Sequence, residues 1–158
     1  MTTRYARIRL DIEREMPAAW DIVDILVNEG LSNYTQEVMW VVAYDSLMQI
    51  RTVTEVARGG YHRMDVSIPV VMSAVLTSGT DRFIIAHNHS TGDVTPTEPD
   101  IDLTRKVMDA ANICGLYLED HIIVGPRGES FSMTDANIIV PSETLKSLAK
   151  KNKRAKVK

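Results

Sequence analysis

Phe83-Ile84-Ile85-Ala86-His87-Asn88-His89-Ser90-Thr91-Gly92-Asp93-Val94-Thr95-Pro96-Thr97-Glu98-Pro99-Asp100 is the stretch on which the reading of this chain turns. Phe83 to Ala86 is a short apolar run that predicts a buried strand. Strand side chains alternate between faces, so His87 and His89 leave the end of that strand side by side. Two neutral imidazoles so placed can chelate one divalent cation. Glycine and proline then turn the chain, and Thr97 followed three residues later by Asp100 resembles a capping box at the start of a helix. Two His and one Asp make three ligands and leave a fourth position for water, the pattern of a catalytic rather than a structural zinc. Asp93 and Asp102 are competing carboxylates. The capping geometry favours Asp100, which can turn one oxygen to a cation while the other takes a backbone N–H.

Working outward, Leu103, Val107, Ala110 and Cys114 recur at helical spacing after the loop, and Gly115 stops that helix. Tyr117 to Val124 predicts a further strand and Glu129 to Met133 a short one. Upstream, Ser67 can cap a helix with Pro69 in its first turn and Gly79 beyond its end, Val71, Met72, Val75 and Leu76 supplying its apolar stripe. Val38-Met39-Trp40-Val41-Val42-Ala43-Tyr44 reads as a central strand buried on both faces. Asp45-Ser46 is turn chemistry, and Met48 to Val56 reads as the hairpin partner, broken at Gly59-Gly60. Pro17 to Leu26 predicts a helix ended by Gly30. The alternation from Met1 to Glu13 suggests an extended arm or edge strand, and Pro141-Ser142-Glu143-Thr144 begins a last short helix. Alternating strands and helices with hairpins among them imply an α/β fold, a mixed β-sheet flanked by helices on both faces, with ligands gathering at strand ends.

The chain of 158 residues, 44% hydrophobic and 25% charged, has the composition of one soluble globular domain. No apolar run is long enough to cross a bilayer and no signal-peptide stretch is present, so no membrane role is expected and a cytoplasmic location fits best. The single cysteine, Cys114, excludes an intrachain disulfide and any zinc site built on several thiolates. The formal net charge of −3 conceals an asymmetry, because Lys146, Lys150, Lys151, Lys153, Arg154, Lys156 and Lys158 crowd the C-terminus. That tail is either a solvated end or a contact for nucleic acid or an acidic partner.

His87-x-His89, seven residues, then Thr97-x-x-Asp100 resembles the JAMM signature of JAB/MPN-domain metalloproteases, in which two His and an Asp bind zinc and a Ser stands where Thr97 is. The closer similarity is to the bacterial RadC-like branch. It is carried by Ala86-His87-Asn88-His89, Gly92-Asp93, Thr95-Pro96, Asp120-His121-Ile122-Ile123-Val124-Gly125 and Gln36-Glu37-Val38. It implies a JAB/MPN (cytidine-deaminase-like) architecture over residues 35–140, with an N-terminal arm and helix over 1–34 and a C-terminal helix and basic tail over 141–158. It departs in having Ser90-Thr91 where the family has Pro-Ser after the second His, and Thr for Ser at 97.

The resemblance implies a zinc-dependent hydrolase of peptide or isopeptide bonds. His87, His89 and Asp100 hold Zn²⁺, and Glu37 acts as the base that takes a proton from the water. Local spacing alone does not single out Glu37, and Glu55 is its rival. Thr97 has two candidate roles: its oxygen can cap the helix, and its hydroxyl hydrogen, left free by that bond, could stabilise an oxyanion. His121 is either a partner orienting a ligand or a packed core histidine. Asn88, pointing away from its histidine neighbours, braces the loop, and Cys114 reads as inert packing. Two other function classes stand beside the hydrolase. One is a DNA-repair-associated DNA-binding protein or metal-dependent nuclease, suggested by the RadC label and the basic tail. The other is a non-catalytic scaffold that has lost its metal.

Overall fold

A computed structural model describes residues 19–28, 30, 35–59 and 64–140. The arm over 1–13, the helix at 141–144 and the basic tail lie outside the described residues. The chain runs α1 (Ala19–Asn28), β1 (Val38–Tyr44), β2 (Ile50–Arg58), α2 (Ile68–Ser78), β3 (Arg82–His87), α3 (Glu98–Cys114), β4 (Tyr117–Val124) and β5 (Ser130–Ser132). The five strands form one sheet in the order β2-β1-β3-β4-β5. β3 and β4 are parallel, joined by the crossover through α3, and the other neighbours are antiparallel, so the sheet is mixed.

β1 is buried at every position, as its unbroken apolar run predicts. Its even-numbered residues Val38, Trp40, Val42 and Tyr44 join Ile84, Ala86, Ile122 and Val124 under α1, through Val23, Ile25 and Leu26. Its odd-numbered residues Met39, Val41 and Ala43 join Phe83, Ile85 and Leu118 under α2 and α3. Helices therefore cover both faces of the α/β sheet. Each such aliphatic side chain contributes roughly 1.5–3 kcal/mol on full burial.

Four local expectations are corrected. β2 starts at Ile50, not Met48. The Asp45 carboxylate accepts from the N–H groups of Leu47 and Gln49, which lengthens the turn and puts Met48 at φ 62°. Ser67 stands at the N-cap of α2 without a side-chain cap bond. Leu76 is exposed and Ala74 takes its place on the buried stripe. On α3 the buried line is Thr104, Val107 and Ala111, one residue out of phase with the expected stripe, so Cys114 is exposed rather than packed.

The register of β4 carries a consequence for function. Leu118 pairs with Phe83, but Asp120 pairs with Ile84 and His121 with Ile85, so one extra residue is accommodated between Leu118 and Asp120. Such a bulge shifts the alternation by one. Asp120 moves to the α1 face with Ile84. His121 comes to the α3 face, which it would not reach in a regular strand counted from Leu118.

Candidate metal centre

The Phe83–Ala86 segment delivers His87, 1% exposed, at the carboxyl end of β3. Asn88 turns the other way and is also buried. Its amide bridges to the chain just ahead of β1: the Val38 N–H donates to Asn88 Oδ1 at 2.9 Å, and Asn88 Nδ2 donates to the Gln36 carbonyl at 3.0 Å. Glu37 lies between those two anchors, and its own carbonyl accepts the Gly59 N–H at 2.7 Å. Glu37 is thereby held at the rim of the groove that contains His89, Asp100 and Thr97. Glu55, the rival base, is instead bound to Arg58 on β2 and does not line that groove.

After His89 the loop turns through Gly92, whose N–H donates to the His89 carbonyl at 3.0 Å. Gly92 has φ +78°, and a Cβ there would press on the Pro126 ring at 3.3 Å, so both backbone and space require glycine. Thr97 then opens α3 as a capping box. Its N–H and its hydroxyl both donate to Asp100 Oδ2, at 2.8 and 2.6 Å, while its Oγ1 accepts from the Asp100 N–H at 3.4 Å. The hydroxyl hydrogen expected to be free for an oxyanion is therefore spent on Asp100, and Thr97 acts on that carboxylate.

His87 Nε2 lies 3.0 Å from His89 Nε2 and 3.2 Å from Asp100 Oδ1, and His89 Nε2 lies 3.2 Å from Asp100 Oδ2. Among the described residues this is the one group of such side chains close enough to share an ion. Ligand atoms around a tetrahedral zinc at ~2.0–2.1 Å stand roughly 3.3 Å apart, so the triangle matches that geometry. Asp93 and Asp102 line the groove but stay outside the triangle. Asp93 receives the Thr95 N–H at 2.9 Å, and Asp102 meets Arg105 at 3.4 Å.

The hydrogen bonds behind the triangle bear on which ring nitrogens carry protons. His89 Nδ1 is 2.7 Å from the Asp93 carbonyl, which can only accept, so Nδ1 carries a proton and the neutral ring presents a lone pair at Nε2. His87 Nδ1 is 2.7 Å from His121 Nε2. His121 Nδ1 is 2.6 Å from Thr104 Oγ1, and Thr104 Oγ1 is 2.6 Å from the Asp100 carbonyl. With both rings neutral and protonated on Nδ1, two imidazole lone pairs and a carboxylate converge. That arrangement suits a cation, and the residues present fit a zinc or similar ion.

The three groups are also coupled electrostatically. Burial alone would raise the Asp100 pKa, but the bonds with His87, His89 and Thr97 outweigh it and hold the carboxyl far below the usual range. The bond with Asp100 raises His89 against burial, with Glu37 adding to it. Burial pushes His121 well below the ordinary histidine value, with His87 adding to it, so that ring stays neutral.

The surrounding groove has a volume of about 920 Å³. Val66, Ile68 and Leu103 give it apolar walls, and among the described residues Glu37, Asp65, Asp93, Asp100 and Asp102 line it with Lys106. Sequence reasoning singled out the triad and Glu37 but missed Thr104. The signal for it was a hydroxyl in step with Val107 and Ala111 on an otherwise apolar helix face.

An α/β sheet sandwiched by helices, with a His-x-His pair leaving a central strand and an Asp in the next helix turn, defines a domain of the JAB class. A family model described as the RadC-like JAB domain matches residues 18–138, and the chain belongs to that family. It is similar to a UPF0758 protein of Porphyromonas gingivalis, 32% identical over 131 residues, 80% of this chain and 58% of that protein. A UPF0758 protein of Syntrophomonas wolfei is 31% identical over 100 residues, 63% of this chain and 43% of that protein. One of Ruegeria pomeroyi is 30% identical over 126 residues, 80% of this chain and 56% of that protein. The chain spans about half the length of these curated relatives. No helix among the described residues is long and apolar enough to cross a membrane.

Proposed function

We propose that this domain is a zinc-dependent hydrolase that cleaves an amide, in a peptide or an isopeptide linkage. The observation that carries the reading is the triangle of the two Nε2 atoms and the Asp100 carboxylate with edges of 3.0–3.2 Å. When bound, Zn²⁺ supplies Lewis acidity that brings the pKa of a water to about 7 and polarises a carbonyl. The chain's own residues do the rest. His87 and His89 bind through Nε2 and Asp100 through Oδ1, while Thr97 fixes the other oxygen of Asp100. Glu37, anchored on both sides at the groove rim, takes the proton of the attacking water and returns it to the leaving amine. Val66, Ile68 and Leu103 shield the reacting groups from bulk water.

The charge of the groove bears on the choice of substrate. Among the described residues five carboxylates and one lysine line it, a balance that disfavours a phosphodiester backbone, which nucleic-acid sites draw in with lysine and arginine. That favours a peptide or protein substrate over the nuclease expectation. The test has two parts. Protein purified without chelator should carry about one zinc per chain. Glu37→Gln should keep that zinc and lose amide hydrolysis by roughly 10²–10⁴-fold. A chain that takes up no zinc, or a Glu37→Gln variant with full activity, refutes the proposal.

A further inference from the structure

We propose that Thr104 and His121 are positioning residues that set the tautomer of His87, and that the bulge in β4 exists in this fold to aim His121 at that task. The inference rests on the metal reading above and adds to it the way in which one ligand is kept competent.

The two ligand histidines face different problems. His89 Nδ1 meets a backbone carbonyl, that of Asp93, which has one option, to accept. Its tautomer needs no further control. His87 Nδ1 meets another imidazole, His121, whose ring nitrogens can donate or accept. Were His121 Nε2 to carry a proton, it would donate to His87 Nδ1. A neutral His87 would then hold its own proton on Nε2, pointing into the triangle where the ion belongs. A third group must therefore force His121 to accept at Nε2.

Thr104 is that group. Its hydroxyl has one hydrogen, and three atoms surround it: His121 Nδ1 at 2.6 Å, the Asp100 carbonyl at 2.6 Å and Met133 Sδ at 3.4 Å. The carbonyl and the thioether can only accept. An oxygen–oxygen separation of 2.6 Å is attractive only with a hydrogen between the two atoms, so the Thr104 hydrogen goes to Asp100. His121 Nδ1 must then donate to Thr104, His121 Nε2 is bare, and His87 Nδ1 donates to it. The relay starts at the main chain of one ligand, Asp100, and ends at the ring of another, His87. Its middle is dry: Thr104 and His121 are fully buried. The extra residue between Leu118 and Asp120 is what brings His121 to this face, since regular alternation would turn it towards α1.

Long-range ¹H–¹⁵N NMR of the metal-free and zinc-loaded full chain reads the tautomers directly. The expected result is His121 protonated on Nδ1 and bare on Nε2 in both states. Thr104→Val keeps the shape of the side chain and removes the hydroxyl; it should lose the fixed His121 tautomer and weaken zinc about 10–100-fold in chelator competition. Thr104→Ser should restore both. A purely packing role for Thr104 would instead lower the melting temperature in Thr104→Val and leave tautomer and affinity alone, which overturns the proposal. Wild-type protein with His121 protonated on Nε2 overturns it without any variant. Wild-type protein with the expected tautomers that nevertheless takes up no zinc sinks the hydrolase reading and leaves the hydrogen-bond relay standing.

Discussion

Asn88→Ala tests how the base is held. Asn88 is 2% exposed, and the bonds of its amide include one from the Val38 N–H at 2.9 Å and one to the Gln36 carbonyl at 3.0 Å. Val38 is fully buried, so its N–H would be stranded, at a cost of about 1–3 kcal/mol. The bond to the Gln36 carbonyl is only part-buried, and its loss adds about 0.5–1.5 kcal/mol. The sum is roughly 1.5–4.5 kcal/mol, a fall in melting temperature on the order of 5–15 °C for a chain of this size. The same change releases both anchors flanking Glu37 while leaving the triad untouched. Amide hydrolysis at a temperature where the variant remains folded should therefore drop at least tenfold, with zinc affinity within about threefold of wild type. Urea unfolding, chelator competition and hydrolysis of a labelled peptide measure the three quantities. A loss of stability under about 1 kcal/mol would refute the accounting of the buried N–H. A variant folded and fully active would refute the claim that Asn88 positions Glu37.

Thr97→Val removes the cap and the 2.6 Å bond to Asp100 Oδ2; it should cost about 0.5–2 kcal/mol in urea unfolding and weaken zinc, whereas Thr97→Ser should do neither. Asp45 gives a pH-dependent stability with a definite sign. Burial would raise its pKa, but the N–H groups of Gln49 and Leu47 and the Arg51 guanidinium outweigh it, so the folded value lies below 3.8. The stabilisation is present above the unfolded value and is lost as pH falls through the folded one. Urea unfolding of wild type and Asp45→Ala should accordingly differ at pH 7 and converge as the pH is taken well below 4.

What the sequence revealed depended on whether one residue's hydropathy or another residue's position decided the outcome. The unbroken apolar run of β1, the Thr97–Asp100 capping box and the Gly79 and Gly115 helix ends rest on local chemistry, and the structure reproduces each. The phase of α3 was misjudged because Thr104 counts as polar, yet it is buried by its bonds to His121 and the Asp100 carbonyl. His121 could not be placed because the bulge ahead of it leaves no mark in the hydrophobic pattern: Leu118 and His121 share a face though three residues apart in a strand. Thr97 was read as a cap with a spare hydrogen because spacing shows which oxygen accepts, not where the hydroxyl points.

These misreadings converge on one property of the site. The Nδ1 proton of each ligand histidine is held outward by a partner with a single option: the Asp93 carbonyl takes that of His89, and the Asp100 carbonyl, through Thr104 and His121, takes that of His87. With neutral rings, that turns two Nε2 lone pairs towards each other and towards the two oxygens of Asp100, across 3.0–3.2 Å. A cation held there would relieve that crowding, so on the proposed reading ion binding and stability are linked. At a zinc concentration 100 times its dissociation constant that linkage adds about 2.7 kcal/mol to the folded state. Chelation should then lower the unfolding midpoint of the wild type, and it should do so less in Asp100→Asn, where the carboxylate charge that drives the crowding is gone. Equal sensitivity of the two proteins to chelator would mean that the triangle is held by packing alone.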